Sequence, residues 1–399
     1  MRAVELFAGA GGLALGASIA GIEHDAVIEW NRSACETILE NRRRGTVGWP
    51  LFQCDVRDMD FRTFQGADVV AGGPPCQPFS IGGKHRGNSD VRNMFPEAIR
   101  SVREIQPKMV LLENVKGLTR TSFADFFEYV LLQLQFPTLI ARKSEDWVAH
   151  AARLRRSQAL NSFGDLSYRV WYRRLNAADF GVPQRRERVF IVAARSDLNL
   201  RWAFPEPTHS QESLLRDQWV TGDYWSRHGI DRLRRRDVPT KFAKRVQRLR
   251  SLPLIGDLPA WRTVRDAITD LPDPNSDHAR SLGHLLVPGA RTYGGHSGSP
   301  IDEPAKTLKA GDHGVPGGEN MLAMPDGSVR YFTVRESARI QTFPDYYVFP
   351  GSWSESMRQL GNAVAVDMAS ILARRIRRCI ETGDAESDIL EPRLQVATV

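Results

Sequence analysis

Over the first two hundred residues, short apolar runs alternate with amphipathic or mixed stretches. Val4-Glu5-Leu6-Phe7 reads as a strand, followed by a glycine turn and a helix from about Leu13. Ala26-Val27-Ile28 reads as a second strand. Asp68 to Ala71, Met109 to Leu112 and Val189 to Val192 are short apolar runs bounded by turn residues, the pattern of buried parallel strands. This alternation predicts an α/β fold with an open, doubly wound, mostly parallel sheet. Near Arg201 the character changes. From there to about Asp326, proline, glycine and scattered aromatics replace periodicity. Helical spacing returns over Val334 to Ile340 and again over Val364 to Ile376, and the acidic last twenty or so residues read as a frayed tail. The expected organisation is a catalytic unit over residues 1–200, a smaller loop-rich domain over 201–330, and a segment over 331–399 that returns to the first unit.

Composition narrows the class. The 399 residues are 42% hydrophobic and 25% charged, enough apolar material for a large core without disulfide or metal staples. Cys35, Cys54, Cys76 and Cys379 lack metal-site spacing and suit a reducing cytoplasm, so no metal is expected. No segment has the ~18 uncharged residues of a membrane span. A formal net charge of +7, with a dense basic run from Arg227 to Arg250, fits a polyanionic partner.

Two stretches carry chemistry. Gly9-Ala10-Gly11-Gly12-Leu13-Ala14 follows a strand and opens a helix, matching the glycine-rich fingerprint of adenosine-bearing cofactors. Glu29 stands about twenty residues on, where that fingerprint places an acid on a ribose hydroxyl. The loop alone does not separate NAD from S-adenosylmethionine. Trp30 offers either a stacking face for adenine or core packing, and Asp55 either an acceptor for the adenine amino group or a helix cap. The second stretch is Gly72-Gly73-Pro74-Pro75-Cys76-Gln77-Pro78-Phe79-Ser80. Its prolines fix torsions around a thiol at a strand's carboxyl end, where open α/β sheets place reacting groups.

With these motifs on the page, the chain resembles the DNA (cytosine-5) methyltransferases of bacterial restriction–modification systems over nearly its whole length. Phe7 to Gly12 is similar to their first motif and Gly73 to Gln77 to their catalytic motif. Glu113-Asn114-Val115, Gln184-Arg185-Arg186-Glu187-Arg188 and Gln359-Leu360-Gly361-Asn362-Ala363-Val364 are similar to three further motifs. Ala365 departs from the pattern, since many members carry proline there. The resemblance implies a sheet of the S-adenosylmethionine-dependent methyltransferase type with a target-recognition domain. It implies S-adenosylmethionine as cofactor, held by Phe7, Gly9, Gly11, Gly12, Leu13, Glu29, Trp30, Asp55, Val56, Pro75, Met94, Asn362, Ala363 and Val364. It also implies Cys76, Glu113, Arg186 and Arg188 as the catalytic set. Gln77, Ser80, Lys84, Arg86 and Thr307 are the implied DNA contacts.

The implied chemistry suits these residue types. Carbon 5 of cytosine is a poor nucleophile until a thiolate adds to carbon 6, so covalent catalysis by Cys76 divides the reaction into easier steps. A carboxyl at N3 receives the developing charge, and Glu113 follows an apolar strand that brings it level with Cys76. Arg188, which by resemblance reaches O2 of the base, keeps its charge and presents fixed donors. A cytosine within duplex DNA must first be turned out of the stack. The polar loop from Ile81 to Ser89 reads as a lid that closes over it. The expected protein is thus a cytoplasmic, nucleoid-associated monomer acting on double-stranded DNA, with a possible cognate restriction endonuclease. An NAD-dependent oxidoreductase would explain the glycine loop but leave Cys76 and Glu113 without a role.

Overall fold

The computed structural model describes residues 1–75, 93–160, 166–252, 258–292, 294, 297–310 and 320–385. Its first half is β1 (Arg2–Leu6), α1 (Gly12–Ile19), β2 (Glu23–Glu29), α2 (Arg32–Arg43), β3 (Leu51–Gln53), β4 (Val69–Gly72), α3 (Phe95–Ile105), β5 (Met109–Val115), α4 (Ala124–Gln135), α5 (Trp147–Ala159), β6 (Tyr168–Asn176) and β7 (Glu187–Arg195). These strands make one seven-stranded sheet in the order β3-β2-β1-β4-β5-β7-β6. Strands β1 to β5 run parallel, and the near-complete burial of β1, β4 and β5 explains the apolar runs in the sequence, while β3, at the sheet's edge, is half-buried to exposed. The order reverses between β1 and β4, so the switch point that hosts ligands in such sheets lies between their carboxyl ends.

One expected parallel strand is corrected. β7, which contains Val189 to Val192, runs antiparallel to both β5 and β6. Residues 177–186 alone separate β6 from β7, too few for a parallel crossover. β6 was not anticipated at all. Its Tyr-Arg-Val-Trp-Tyr-Arg-Arg-Leu pattern mixes large and basic residues because it is the sheet's edge, with Tyr172 and Arg174 exposed.

The remainder comprises α6 (Gln211–Arg216), α7 (Asp223–Arg227), α8 (Ala243–Arg250), α9 (Val264–Ile268), α10 (Asp277–Ser281), β8 (Ser299–Pro300), β9 (Met321–Ala323), β10 (Val329–Tyr331), α11 (Val334–Ile340), α12 (Trp353–Asn362) and α13 (Val366–Thr382). Strands β8 to β10 form a small separate sheet. Two satellite cores stabilise residues 210–261, one around Tyr224, Trp225 and Trp261, the other around Phe242, Val246 and Leu249. Residues 264–308 pack differently. Val264, Ile268, Ile301 and Leu308 share a core with Leu15 of α1 and with Phe343, Leu360 and Val366.

α1 and α13 lie against each other so closely that a methyl group on Gly16 would come within 2.4 Å of the Ala369 Cβ. Among the described residues no helix is long and apolar enough to cross a membrane.

Candidate active site

The loop after β1 departs from ordinary backbone. Phe7, Gly9 and Gly11 have φ of 56°, 55° and 79°, the left-handed region that glycine tolerates best. Glu29, at the end of β2, ties this loop down. One carboxylate oxygen accepts the Gly9 N–H at 2.7 Å, and the other accepts those of Trp30 at 3.0 Å and Asn31 at 2.7 Å. A Cβ on Gly9 would meet nothing within 4 Å, so the loop's outer surface is open to a ligand. A Cβ on Gly12 would lie 2.4 Å from the Val364 carbonyl and 3.3 Å from Ala363 Cβ. The last motif therefore folds against the first, with Leu13 buried beneath and Asn362 exposed at the end of α12.

Around this loop, Trp30 is 71% exposed and does not fill the core. Asp55 caps the turn that follows it, accepting the Arg57 N–H at 3.0 Å, and the Arg57 guanidinium holds its carboxyl below the usual carboxylate range. Val56 is buried, while Met94 and Phe7 are half-buried against the same core. All these residues gather at the carboxyl ends of β1 to β4.

The carboxyl of Glu113 lies across the switch point. Glu113 is 8% exposed, and a Cβ on Gly73 would be 3.4 Å from its Oε2. Asn114 donates to the Pro74 carbonyl at 2.9 Å, and the Met94 N–H donates to the Pro75 carbonyl at 3.2 Å. Pro74 and Pro75 are thereby fixed immediately before Cys76. The antiparallel pairing of β5 and β7 sets Val115 opposite Arg188 and lets the Arg188 Nε reach Glu113 Oε1 at 2.8 Å. Burial weighs against the Arg188 cation, and the Glu113 charge counters it.

Arg186, which the resemblance groups with Arg188 as support for the same pocket, acts through the backbone. It is 2% exposed, and its guanidinium donates to the carbonyls of Leu308 at 3.3 Å, Gly361 at 2.9 Å and Ala363 at 2.8 Å. It binds three chain segments together and is a positioning residue. Thr307 is half-buried, with its hydroxyl donating to the Arg185 carbonyl at 2.7 Å.

Against this geometry stand the similarities to known proteins. The C-5 cytosine-specific DNA methylase family matches residues 1–136 and 145–378. The chain belongs to this family. Over 383 residues the methylase is 31% identical to the type II methyltransferase M.NgoMIV of Neisseria gonorrhoeae, covering 95% of this chain and 97% of that protein. It is 32% identical over 382 residues to M.Eco47II of Escherichia coli, covering 94% and 78%. Its fold is similar to that of a putative DNA modification methyltransferase from an E. coli prophage, with TM-score 0.57, 20% identity and coverage of 96% and 99%. The S. pombe Dnmt2 methyltransferase shares the fold at TM-score 0.53 and 18% identity, covering 94% and 98%. The methylase is therefore a DNA (cytosine-5) methyltransferase similar to those of bacterial restriction–modification systems.

Cys76, Gln77, Ser80, Lys84 and Arg86 lie outside the described residues, as does the expected lid. The basic run is partly neutralised within the methylase: Lys241 pairs with Glu303 at 2.8 Å, and Arg245 pairs with Glu212. Arg232, Arg234 and Lys244 are exposed. Sequence reasoning quoted Gln184 only as part of a motif and passed over Gln341. Both are fully buried. The Gln184 amide donates to Gln341 Oε1 at 3.1 Å, and the Gln341 amide donates to the Leu360 carbonyl at 2.5 Å. A glutamine that follows Ile340 at the end of a mixed helix, Val334–Ile340, gives no local sign of such a role.

Proposed function

We propose that the methylase modifies carbon 5 of a cytosine within a specific double-stranded DNA sequence through a covalent Cys76 adduct, using S-adenosylmethionine. The open surface at Gly9 and the exposed ring of Trp30 fit an adenosine-bearing group. Phe7, Gly9, Gly11, Gly12, Leu13, Asp55, Val56, Pro75, Met94, Asn362, Ala363 and Val364 would line that site. After its three backbone contacts Glu29 keeps a lone pair on Oε2 for a ribose hydroxyl. When bound, this cofactor supplies an electrophilic methyl group.

The protein's part in the chemistry follows from the switch point. The target cytosine leaves the helix and enters between Glu113 and the Pro74-Pro75 turn. The Cys76 thiolate adds to carbon 6, the ring electrons move toward N3, and a proton held by Glu113 meets them there. Arg188 donates to O2. After carbon 5 is methylated, its proton passes to a base such as water, the electrons of that C–H bond re-form the 5,6 double bond as the thiolate leaves carbon 6, and the N3 proton returns to Glu113. Gln77, Ser80, Lys84, Arg86 and Thr307 would contact DNA. Residues 201–330 would carry target recognition between the catalytic unit of residues 1–200 and the returning 331–399 segment. We read the protein as a cytoplasmic monomer and as the modification arm of a restriction–modification system, with a cognate endonuclease as partner.

The observation that carries this reading is the approach of the Glu113 carboxyl to Gly73, three residues before the thiol. Incubation with duplex DNA containing 5-fluorocytosine and S-adenosylmethionine should trap a covalent complex stable in denaturing gels. Cys76→Ser should yield none. An adduct that survives this substitution, or wild-type protein that forms none, would overturn the reading. Bisulfite sequencing of plasmid from expressing cells then reports the target site.

A further inference from the structure

The carboxyl of Glu5 lies behind the glycine loop and takes no part in the chemistry above. Glu5 is fully buried on β1, and His24, beside it on β2, is 8% exposed. The Glu5 Oε1 accepts the Ala14 N–H at 3.1 Å. Ala14 is in the first turn of α1, whose own N-cap, Gly11, supplies no side-chain bond. Glu5 thus satisfies a helix-start donor from a neighbouring strand, nine residues away in sequence. Its Oε2 lies 3.5 Å from the His24 Nε2 and has no hydrogen-bond partner, and neither ring nitrogen of His24 has one. Apart from the Ala14 bond, these two buried polar side chains have only each other among the described residues.

The surroundings connect this pair to the loop. Trp49 packs at 5.7 Å between ring centroids from His24, and its ring would meet a Cβ on Gly11 at 2.6 Å. The Tyr347 hydroxyl donates to the Ala10 carbonyl at 2.7 Å. Burial keeps that phenol protonated well above neutral pH, which leaves His24 as the side chain that can exchange a proton with Glu5.

We propose that Glu5 and His24 share one proton as a buried pair that positions the start of α1, and with it the cofactor loop. The inference rests on that loop being the S-adenosylmethionine site. With the proton on His24, the Glu5 carboxylate makes a charge-assisted cap to Ala14 and complements the positive end of the helix. A second proton neutralises Glu5 and leaves an imidazolium near that positive end. Burial raises the Glu5 carboxyl above its ordinary range despite the opposing influence of His24, so this second proton binds at a pH above the usual carboxylate titration.

The test uses S-adenosylhomocysteine as probe, with calorimetric Kd measured across pH on the full-length protein. Wild-type affinity should fall as the solution is acidified. Glu5→Gln should bind about tenfold more weakly at neutral pH, with that acid-dependent fall removed. His24→Gln should show a similar loss, and the double variant should be no weaker than either alone. Thermal melts show whether each variant is folded, and the His24 variant serves if Glu5→Gln is not. Equal Kd values and parallel pH profiles in wild type and the folded variants would overturn the proposal. Wild-type protein that fails to bind the probe would instead overturn the cofactor assignment.

Discussion

At the scale of single residues, the pairing of Glu113 with Arg188 is the feature that motif spacing alone did not provide. The sequence assigned the carboxyl to N3 and, by resemblance, the guanidinium to O2, two atoms of one ring. At 2.8 Å apart the two side chains orient each other before any base arrives. A glutamine at 113 retains a polar group of the same shape but holds no transferable proton. Glu113→Gln should lower kcat by roughly 10²–10⁴-fold, the span of general acid–base contributions, in single-turnover methyl-transfer assays. Retained near-ultraviolet circular dichroism would show that the loss is chemical. Glu29 and Glu113 were legible because each lies at or near the carboxyl end of an apolar run that becomes a strand. The partners of Arg186 were not legible from motif position. Its side chain points to carbonyls of segments 122 to 177 residues away, and no local pattern encodes that.

At the scale of elements, the contact between α1 and α13 is decided by what is missing from a side chain. Gly16 lies in the middle of α1, where glycine is unfavourable for a helix. Its place is explained by Ala369 and the Val366 carbonyl, which a Cβ would approach to 2.4 and 2.7 Å. Gly16→Ala should destabilise the protein by about 1–3 kcal/mol through overpacking, read as a lower urea midpoint, despite alanine's better helix propensity. Ala365 offers the opposite case. It caps α13 with φ −60° and ψ 132°, torsions that proline accepts. Ala365→Pro should stabilise by about 0.4–1 kcal/mol by restricting the unfolded chain, raising the same midpoint. Strands β1, β4 and β5 were legible as apolar runs because they are buried on both faces. β6 was not, since an edge strand need not be apolar throughout, and the orientation of β7 depended on a connection whose partner strand had gone unseen.

At the scale of the whole molecule, charge and packing separate the two halves. Net charge alone overstates the cations available to DNA, because Lys241 and Arg245 are engaged by Glu303 and Glu212. Arg232 and Arg234 are exposed. Replacing both with alanine should weaken DNA binding and reduce the slope of log K against log salt by up to about 2, whereas replacing Lys241 and Arg245 should change it less. Fluorescence anisotropy titrations at several salt concentrations measure both. The buried spine of Gln184, Arg186 and Gln341 joins the start of β7, the segment at Leu308 and the turn between α12 and α13. Arg186→Met should therefore be strongly destabilising, by about 3–5 kcal/mol, since the Leu308 and Gly361 carbonyls lose this donor and the Ala363 carbonyl keeps only the Gln341 amide.

Sequence alone determined the local matters: which short runs become buried strands, where glycine lets the backbone turn, and which acids stand near strand ends. Strand burial, turn geometry and motif order are all written in neighbouring residues. Tertiary structure decided the rest, namely the direction of β7, the division of cations between internal partners and solvent, and the anchoring role of Arg186. Each of these depends on groups far apart in the chain that approach to hydrogen-bonding or van der Waals distance only once the sheet and α13 have assembled.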